Sequence, residues 1–222
     1  MATSIGRAIR SYVLRQGRTT PAQARALETL FPRYGIRFSD QKITSQRKLV
    51  LEIGSGMGET TVAIAKAHPE ADFVAVEVHG PGVGSLLNAI EREKLSNLRV
   101  IRHDALEVLE HMIADASLAA IHLFFPDPWP KKRHHKRRLV QPGFAALAAR
   151  KLSPGGILHA ATDWADYAEH MEAVLSYEPL LEPCAAAFTA RPVTKFESRG
   201  RRLGHPVRDL VFRRKETAPA GR

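Results

Sequence analysis

Residues 124–138 read FFPDPWPKKRHHKRR and combine two kinds of chemistry in one short stretch. Asp127 lies between two prolines, which fix φ and hold its carboxylate in a restricted place. Trp129 offers a ring face for stacking a base, although packing is the more ordinary use of a tryptophan. Residues 131–138 contain six Lys or Arg and two His. Because cations are unfavourable at the start of a helix, this run favours phosphate binding over a solvated helix start.

A second candidate site is the loop EIGSGMG, which places Gly54, Gly56 and Gly58 at alternate positions. Glycine there permits positive φ and lets a ligand approach the backbone closely. A dinucleotide site would show G-x-G-x-x-G with a pyrophosphate on the helix N-terminus, whereas here the third glycine comes one residue early. Glu52 before the loop and Glu59 after it would repel a pyrophosphate. The loop therefore favours a cofactor that has a cationic centre and no phosphate.

Two further acids fit the sugar and the base of such a cofactor. Glu77 lies nineteen residues past Gly58, where a carboxylate can accept hydrogen bonds from both hydroxyls of a ribose. Asp104 ends the next predicted strand and can accept a hydrogen bond from an adenine amine. Adenine, ribose, a positive sulfonium and no phosphate describe S-adenosylmethionine, so these residues predict a methyltransferase. The alternative is a degenerate Rossmann loop that binds a nucleotide or nothing.

The elements that must position these acids follow from the alternation of apolar runs and helical segments after residue 48. The pattern predicts an α/β fold with a Rossmann-like, doubly wound, mostly parallel sheet, helices on both faces and a C-terminal antiparallel strand pair. In such sheets ligands bind beyond the carboxyl ends of the strands. Five consecutive predicted strands end at an acid, which capping alone hardly explains: Glu52, Glu77, Asp104, Asp127 and Asp163.

The same pattern predicts the domain organisation. Residues 1–45 are predicted to form a basic N-terminal arm with one short helix, which a threonine caps and an early proline begins. Residues 46–216 are predicted to form one class I methyltransferase domain, followed by a tail over 217–222. Within the domain, helices are predicted over 105–113 and over 141–156, the second closed by a Pro-Gly-Gly turn.

Charge is distributed unevenly along the 222 residues, whose formal net charge is +10. Residues 1–50 hold ten Lys or Arg against two acids, and residues 191–222 hold ten against three. A basic surface of this kind suits a polyanion such as nucleic acid, because each phosphate contact releases counterions. A solvated face with a high pI is the alternative.

Three features bear on the compartment. Cys184 is the only cysteine, which excludes an intramolecular disulfide and a cysteine-based metal site and fits a reducing cytoplasm. No apolar run reaches the roughly 18 residues of a membrane span. The Arg-rich N-terminus lacks the apolar segment of a secretory signal, and an organellar transit peptide remains the alternative. We therefore expect a cytoplasmic protein without a membrane partner.

The chain resembles the bacterial tRNA (guanine-N7-)-methyltransferases in LEIGSGMGE, VEVHGPGVG, NLRVIRHDA, LFFPDPWPKKRHHKRR, ATDW and RPVTKFESRGRRLGHPVRDL. The resemblance covers about residues 48–215 without a gap. FPDPW with its basic run and TKFE are much more specific than the glycine loop. The resemblance implies methyl transfer from S-adenosylmethionine to N7 of a guanine in the variable loop of tRNA.

The resemblance also implies roles for individual residues. Asp127 is the implied active-site acid, and the implied cofactor site contains Glu52, Glu77, Asp104 and Asp127 beside the three glycines. The implied substrate positions are Lys131, Asp163, Thr194, Lys195, Phe196 and Glu197. The implied RNA-contacting segment consists of Arg133, His134, His135, Lys136, Arg137 and Arg138. Adjacent His134 and His135 are wrongly spaced for a shared metal ion, and no metal is expected.

Three rival interpretations remain. The chain could methylate another RNA, a protein or a small molecule, although its basic ends argue against a small molecule. It could be a non-catalytic RNA-binding protein that keeps a Rossmann core. An NAD-linked oxidoreductase is disfavoured by the glycine spacing. The sequence leaves open whether the protein is a monomer or a homodimer.

Overall fold

The computed structural model describes residues 10–12, 17–192, 197 and 206–216, and every structural statement below concerns these residues. Helices and strands alternate through most of this part of the chain. The strands are β1 (Gly35–Ile36), β2 (Lys48–Ile53), β3 (Ala71–Val76), β4 (Leu98–Ile101), β5 (Leu118–Phe124), β6 (Leu152–Thr162), β7 (Leu181–Pro183) and β8 (Arg208–Arg214). The helices are α1 (Pro21–Thr29), α2 (Phe31–Tyr34), α3 (Glu59–Ala67), α4 (Gly80–Glu93), α5 (Ala105–Glu107), α6 (Pro142–Lys151) and α7 (Ala165–Tyr177).

The strands form one mixed sheet in the order β1-β4-β3-β2-β5-β6-β8-β7. Strands β1 to β6 pair in parallel, and β8 runs antiparallel to both β6 and β7. The strand order reverses at β2, which pairs with β3 on one side and β5 on the other. These features confirm the predicted fold class, and they place the crevice for a ligand beyond the carboxyl ends of β2 and β5.

Both faces of the sheet are covered, which explains why the central strands read as continuous apolar runs. Along β2, Leu49 and Leu51 belong to a core shared with α6 and α7, whereas Val50 belongs to the opposite core, shared with α1, α3 and α4. The two cores together fix the strand ends. Within the described residues, no helix combines the length and the hydrophobicity needed to cross a bilayer.

The short helix predicted in the N-terminal arm is α1. Thr20 caps it, because its hydroxyl accepts a hydrogen bond from the backbone N–H of Gln23 while the Gln23 side chain accepts one from the backbone N–H of Thr20. Helix α1 packs against α4, and β1 adds a short edge strand beside β4. The segment before residue 46 therefore contributes three elements to the fold, α1, α2 and β1, whereas the sequence pattern predicts a single short helix there.

Two predicted helices differ from the structure. The predicted helix over 141–156 ends at Lys151, and β6 begins at Leu152. The Pro-Gly-Gly turn lies inside β6 as a bulge, because Leu118 pairs with Leu152 whereas Ala120 pairs with Ile157. The predicted helix over 105–113 is one short α-turn followed by a π-helix over Val108–Met112. Apolar periodicity indicated that these segments are buried, but it does not fix where the hydrogen-bond pattern changes.

Candidate active site

The carboxyl ends of the central strands surround one pocket at the reversal of strand order. Gly54 lines it after β2, Glu77 after β3 and His103 after β4. Asp127 lines it from the turn that follows β5. The sheet thus brings residues that lie far apart in the sequence to one site.

Backbone geometry explains the alternate glycines at this pocket. Gly54, Gly56 and Gly58 have φ of 73°, 56° and 85°, a left-handed region that favours glycine. Among the described residues, no atom would lie within 4 Å of a Cβ on Gly54 or Gly56, so none of them crowds the backbone there. A Cβ on Gly58 would lie 2.5 Å from Cδ1 of Leu86 in α4. The first two glycines can therefore admit a ligand, and the third allows the loop to pack against α4.

Glu77 fixes the glycine loop from the neighbouring strand. Its Oε2 accepts a hydrogen bond from the backbone N–H of Gly56 at 2.8 Å, and its Oε1 accepts one from the backbone N–H of His79 at 2.8 Å. Each carboxylate oxygen can accept a second hydrogen bond. The carboxylate is therefore held in place by backbone donors and can still accept hydrogen bonds from two hydroxyls.

Asp104 has a structural role as well as a place near the pocket. Its Oδ1 caps α5 by accepting hydrogen bonds from the backbone N–H groups of Leu106 at 2.8 Å and Glu107 at 3.4 Å. Tyr12 lies against this acid and lines the pocket together with Ser11. Burial and then the charge of Asp104 raise the pKa of the Tyr12 hydroxyl above its usual value. The N-terminal arm therefore forms part of the pocket wall, which the sequence pattern does not indicate.

Glu52 lies near the end of β2 and is more buried than Glu77, with 4% of its surface exposed. Burial raises the pKa of its carboxyl to about 7, although the nearby Thr61 hydroxyl has the opposite effect. Among the described residues, three buried side-chain atoms around the loop have no hydrogen bond of normal geometry: Glu52 Oε2, Ser55 Oγ and Thr61 Oγ1. Buried polar atoms in native proteins are normally hydrogen-bonded, so such a group indicates a place suited to a polar ligand or water.

The turn that carries Asp127 has an unusual backbone. Phe125 and Trp129, two residues on either side, have φ of 52° and 47°, which is rare for aromatic residues. Hydrogen bonds hold both ends: the backbone N–H of Phe125 donates to Ala161 O at 2.7 Å, and Trp129 Nε1 donates to Ser11 O at 3.1 Å. Backbone strain of this kind persists where the surroundings enforce it, and it clusters at functional sites.

Asp127 itself is exposed at the mouth of the pocket. Partial burial nevertheless raises the pKa of its carboxyl above the usual value, and the positive charge of Arg137 opposes that rise. Asp127 therefore combines solvent access with a position on a constrained turn, whereas Glu52 and Glu77 are buried.

Arg138 supports this turn. Its side chain is 1% exposed, its Nε donates to Pro128 O at 2.9 Å, and its Nη2 forms an ion pair with Asp166. Its guanidinium carbon also lies 4.8 Å from the centre of the Tyr167 ring. A guanidinium buried in this way is not available to a phosphate. This position corrects the prediction that Arg138 contacts RNA.

The basic run between the turn and α6 forms a 3-10 helix over Lys132–Arg137 rather than the start of an α-helix. Four cations of the run are exposed, and we call them the basic face: Lys131, Lys132, Arg133 and Lys136. His134 and His135 are half-buried. His134 packs edge-on against the Trp129 ring at 5.9 Å between centroids. The predicted RNA-contacting residues thus divide into an exposed set and an inner set that packs against the turn.

Arg137 links the basic run to the N-terminal arm. Its guanidinium carbon lies 4.0 Å from the centre of the Trp129 ring. The same side chain donates hydrogen bonds to Arg10 O and Tyr12 O, each at 3.3 Å. Arg137 therefore holds residues 10–12 against the pocket.

The remaining predicted substrate residues are only partly described. Asp163 follows β6 and is exposed. Thr194, Lys195 and Phe196 lie outside the described residues. The Glu197 carboxylate is buried in an ion pair with Arg191, so in this structure it contacts the protein rather than the open pocket.

Comparison with known proteins agrees with this geometry. A family model described as "Putative methyltransferase" matches residues 46–210. The tRNA (guanine-N(7)-)-methyltransferase of Nitrosomonas eutropha is 58% identical over 214 residues, which cover 92% of this chain and 96% of that protein. The enzyme of the same name from Neisseria meningitidis serogroup A is 54% identical over 94% of this chain and 92% of its own length. The chain belongs to the tRNA (guanine-N(7)-)-methyltransferase family.

Two solved structures with similar folds are methyltransferases of distant sequence. An rRNA methylase from Streptococcus thermophilus superposes with a TM-score of 0.52 at 13% identity, covering 77% of this chain and 89% of its own. A precorrin-6y C5,15-methyltransferase from Geobacter metallireducens gives 0.53 at 12% identity, covering 91% and 93%. At such identities the likeness shows the fold of this methyltransferase and nothing finer.

Three residues that shape the site of this methyltransferase escape the sequence analysis. Ser11 and Tyr12 lie in an arm without clear periodicity, so nothing local marks them as pocket residues. Arg191 stands three residues before Thr194, and only its proximity to TKFE could have indicated it. In each case the contact is long-range and depends on the folded chain.

Proposed function

We propose that this chain transfers the methyl group of S-adenosylmethionine to N7 of a guanine in the variable loop of tRNA. The observation that carries the proposal is the position of Asp127. It is an exposed acid on a constrained turn, between a pocket lined by Gly54 and Glu77 and the basic face. Relatives that are more than half identical and carry the name tRNA (guanine-N(7)-)-methyltransferase support the same reaction.

The residues of the pocket fit S-adenosylmethionine. No described residue crowds Gly54 or Gly56, and Glu77 retains acceptor capacity for two hydroxyls. Glu52 is a buried acid whose Oε2 has no hydrogen bond of normal geometry within the described residues. These groups suit a cofactor that is cationic and carries no phosphate. When bound, the cofactor supplies an electrophilic methyl group on a sulfonium. The chain's own residues hold it in place.

Guanine N7 needs little chemical activation. Its lone pair lies in the plane of the ring, and methylation removes no proton, so no general base is required. The methylated ring carries a positive charge, which the Asp127 carboxylate stabilises electrostatically. The same carboxylate can accept hydrogen bonds from guanine N1–H and N2–H, and Lys131 can donate one to O6. Catalysis then rests on alignment and electrostatics rather than on proton transfer.

The basic face gives the tRNA backbone a place to bind. Its four cations are exposed on one 3-10 helix and its N-cap, next to the turn that presents Asp127. Phosphates bound there would place a nearby base at the pocket mouth. A guanine that is stacked in folded tRNA must first be displaced, at a cost of a few kcal/mol.

The decisive experiment incubates the purified chain with labelled S-adenosylmethionine and bulk tRNA, followed by nucleoside analysis. We expect 7-methylguanosine among the nucleosides of the tRNA. Asp127→Ala should abolish it while cofactor affinity falls much less, and Asp40→Ala, which changes an acid whose side chain is 98% exposed, should have no effect. Label that enters ribosomal RNA in a parallel incubation, with none in tRNA, would support the rival methyltransferase. No calorimetric heat with S-adenosylmethionine would support a non-catalytic RNA-binding protein.

A further inference from the structure

A buried arginine joins the C-terminal part of the chain to the turn that carries Asp127. Arg191 Nε and Nη2 donate to the two carboxylate oxygens of Asp209 in β8, at 2.9 and 3.0 Å. Its Nη1 forms an ion pair with Glu197. The Arg191 side chain is 5% exposed and that of Glu197 is fully buried. One guanidinium therefore uses all three of its nitrogens to hold two acids from different segments.

The same guanidinium packs against the aromatic pair that leads to the turn. Its central carbon lies 5.2 Å from the centre of the Phe125 ring and 5.8 Å from that of Phe124. Phe125 is the residue with φ of 52° that begins the strained turn. Because Asp127 is two residues further, a shift of the Phe125 ring would change the direction in which the Asp127 carboxylate points.

The other acid of the cluster is fixed from a second side. His159 in β6 contacts Asp209 Oδ1 through Nε2 at 2.8 Å, and its ring packs edge-on against Phe124 at 5.0 Å between centroids. Although burial raises the pKa of Asp209, the hydrogen bonds with His159 and Arg191 hold it well below its usual range. Asp209 is therefore a charged anchor for Arg191 across the working pH range.

We infer that Arg191 is a positioning residue for methyl transfer, which fixes Glu197 and the Phe125–Asp127 turn relative to each other. This inference rests on the proposed function. If the ion pairs of Arg191 were purely structural, replacing the residue would change stability alone. A buried ion pair is by itself weak evidence for a stabilising role. A positioning role predicts instead that small changes in guanidinium geometry lower the rate of the chemical step.

The test compares Arg191→Lys with Arg213→Lys in tRNA methylation. Lysine keeps the charge but cannot form the forked contact with Asp209. Arg213 lies in β8 like Asp209 and donates two hydrogen bonds to one oxygen of Glu182 in β7, at 3.1 and 2.6 Å, on the exposed edge of the sheet. We expect Arg191→Lys to lower kcat about tenfold or more. The thermal midpoint and the affinity for S-adenosylmethionine should stay close to those of Arg213→Lys and of the unchanged chain.

A double-mutant cycle separates this role from general damage. If Arg191 acts through Glu197, Arg191→Lys combined with Glu197→Gln should be scarcely slower than the worse single variant. Should Arg191→Lys not fold, Asp209→Asn replaces it, because removing that charge releases the same guanidinium, and it should show the same loss of kcat.

Two results would overturn the inference. One is that Arg191→Lys shows normal kcat and KM for tRNA; if that variant does not fold, the same result in Asp209→Asn counts. The other is a loss of activity that only parallels a loss of stability. Failure of the proposed function would look different, because the unchanged chain would then form no 7-methylguanosine.

Discussion

Replacing Gly82 by alanine tests the glycine loop from the helix that packs against it. Gly82 lies in the first turn of α4, and a Cβ there would stand 2.5 Å from Gly56 O, 3.2 Å from Gly56 C and 3.4 Å from Glu77 Cγ. Ordinary contact begins near 3.4 Å. The carbonyl oxygen of Gly56 must therefore retreat by about 0.9 Å, a displacement of the size that disrupts catalytic geometry.

That displacement acts on the hydrogen bond by which Glu77 holds the loop. The bond from Gly56 N–H to Glu77 Oε2 is 2.8 Å long, and moving the Gly56 peptide weakens it. We expect the affinity for S-adenosylmethionine to fall about tenfold or more. Stability should change less, because alanine is favoured over glycine inside a helix by about 1 kcal/mol, which offsets part of the strain.

Isothermal titration with S-adenosylmethionine measures the effect, with Gly143→Ala as the matched control. Gly143 also lies in the first turn of a helix, α6, but a Cβ there would meet no atom within 4 Å in the part of the chain that the structure describes. Gly143→Ala should therefore bind the cofactor normally and unfold at the same or a slightly higher temperature. Normal affinity in Gly82→Ala would show that the position of the Gly56 peptide does not matter for cofactor binding, and would refute this reasoning.

Three further predictions concern the turn and the basic face. Arg138→Met should lower the free energy of unfolding by about 2 kcal/mol in urea titrations, because it leaves Pro128 O without its buried donor. An unchanged salt dependence of tRNA binding in this variant would confirm that Arg138 does not contact phosphate. The rate of methylation should rise as pH passes through the pKa of Asp127, because the ionised carboxylate is the active form; burial raises this pKa. The pH–rate profile of Asp127→Asn should lack this rise. Replacing the basic face by alanines should flatten the plot of log affinity against log salt by about 0.7–0.9 per lost phosphate contact; a slope equal to that of the unchanged chain would contradict the assigned phosphate contacts.

Much of the fold and of the pocket follows from local sequence features. The parallel sheet follows from apolar runs that alternate with helices, because both faces of each central strand are buried. The positions of Gly54 and Glu77 follow from the rule that ligands bind at carboxyl strand ends, and a pocket lies there. These features could be predicted because each depends on the types and order of a few neighbouring residues.

What the sequence could not provide depends on contacts between distant segments. Arg138 and Arg133 are equivalent in the basic run, yet one is buried against Pro128 O and the other is exposed. Tyr12 lines the pocket in a segment that Arg137 and Trp129 hold through hydrogen bonds to the backbone oxygens of residues 10–12. Burial also raises the pKa of two of the acids near the strand ends, Glu52 and Asp127. Residue type alone shows none of these differences.

Glu52 shows how such a difference bears on function. Its carboxyl has a pKa of about 7 in the folded chain against a usual 4.5, because it is buried. When folding raises the pKa of an acid, the folded state loses stability as pH rises from the pKa in the unfolded chain to the pKa in the folded chain. Above the folded-state pKa the loss is complete. Here the window runs from about 4.5 to about 7, and the shift corresponds to about 3 kcal/mol. Glu52→Gln cannot ionise and should therefore unfold at a higher urea concentration than the unchanged chain at pH 8, with a smaller difference at pH 5.

The same substitution should weaken cofactor binding, because a cationic ligand favours the ionised carboxylate. Binding of S-adenosylmethionine at pH 7 should then release protons from Glu52, since the ligand lowers a pKa that lies near the working pH. Calorimetry in two buffers of different ionisation enthalpy detects this proton release. We expect no such release in Glu52→Gln, whereas the control Glu169→Gln, which changes an exposed acid, should release protons like the unchanged chain. Equal proton release in all three proteins would show that Glu52 does not face the cationic ligand. A stabilised Glu52→Gln that binds poorly would show that this acid is kept for binding at the expense of stability.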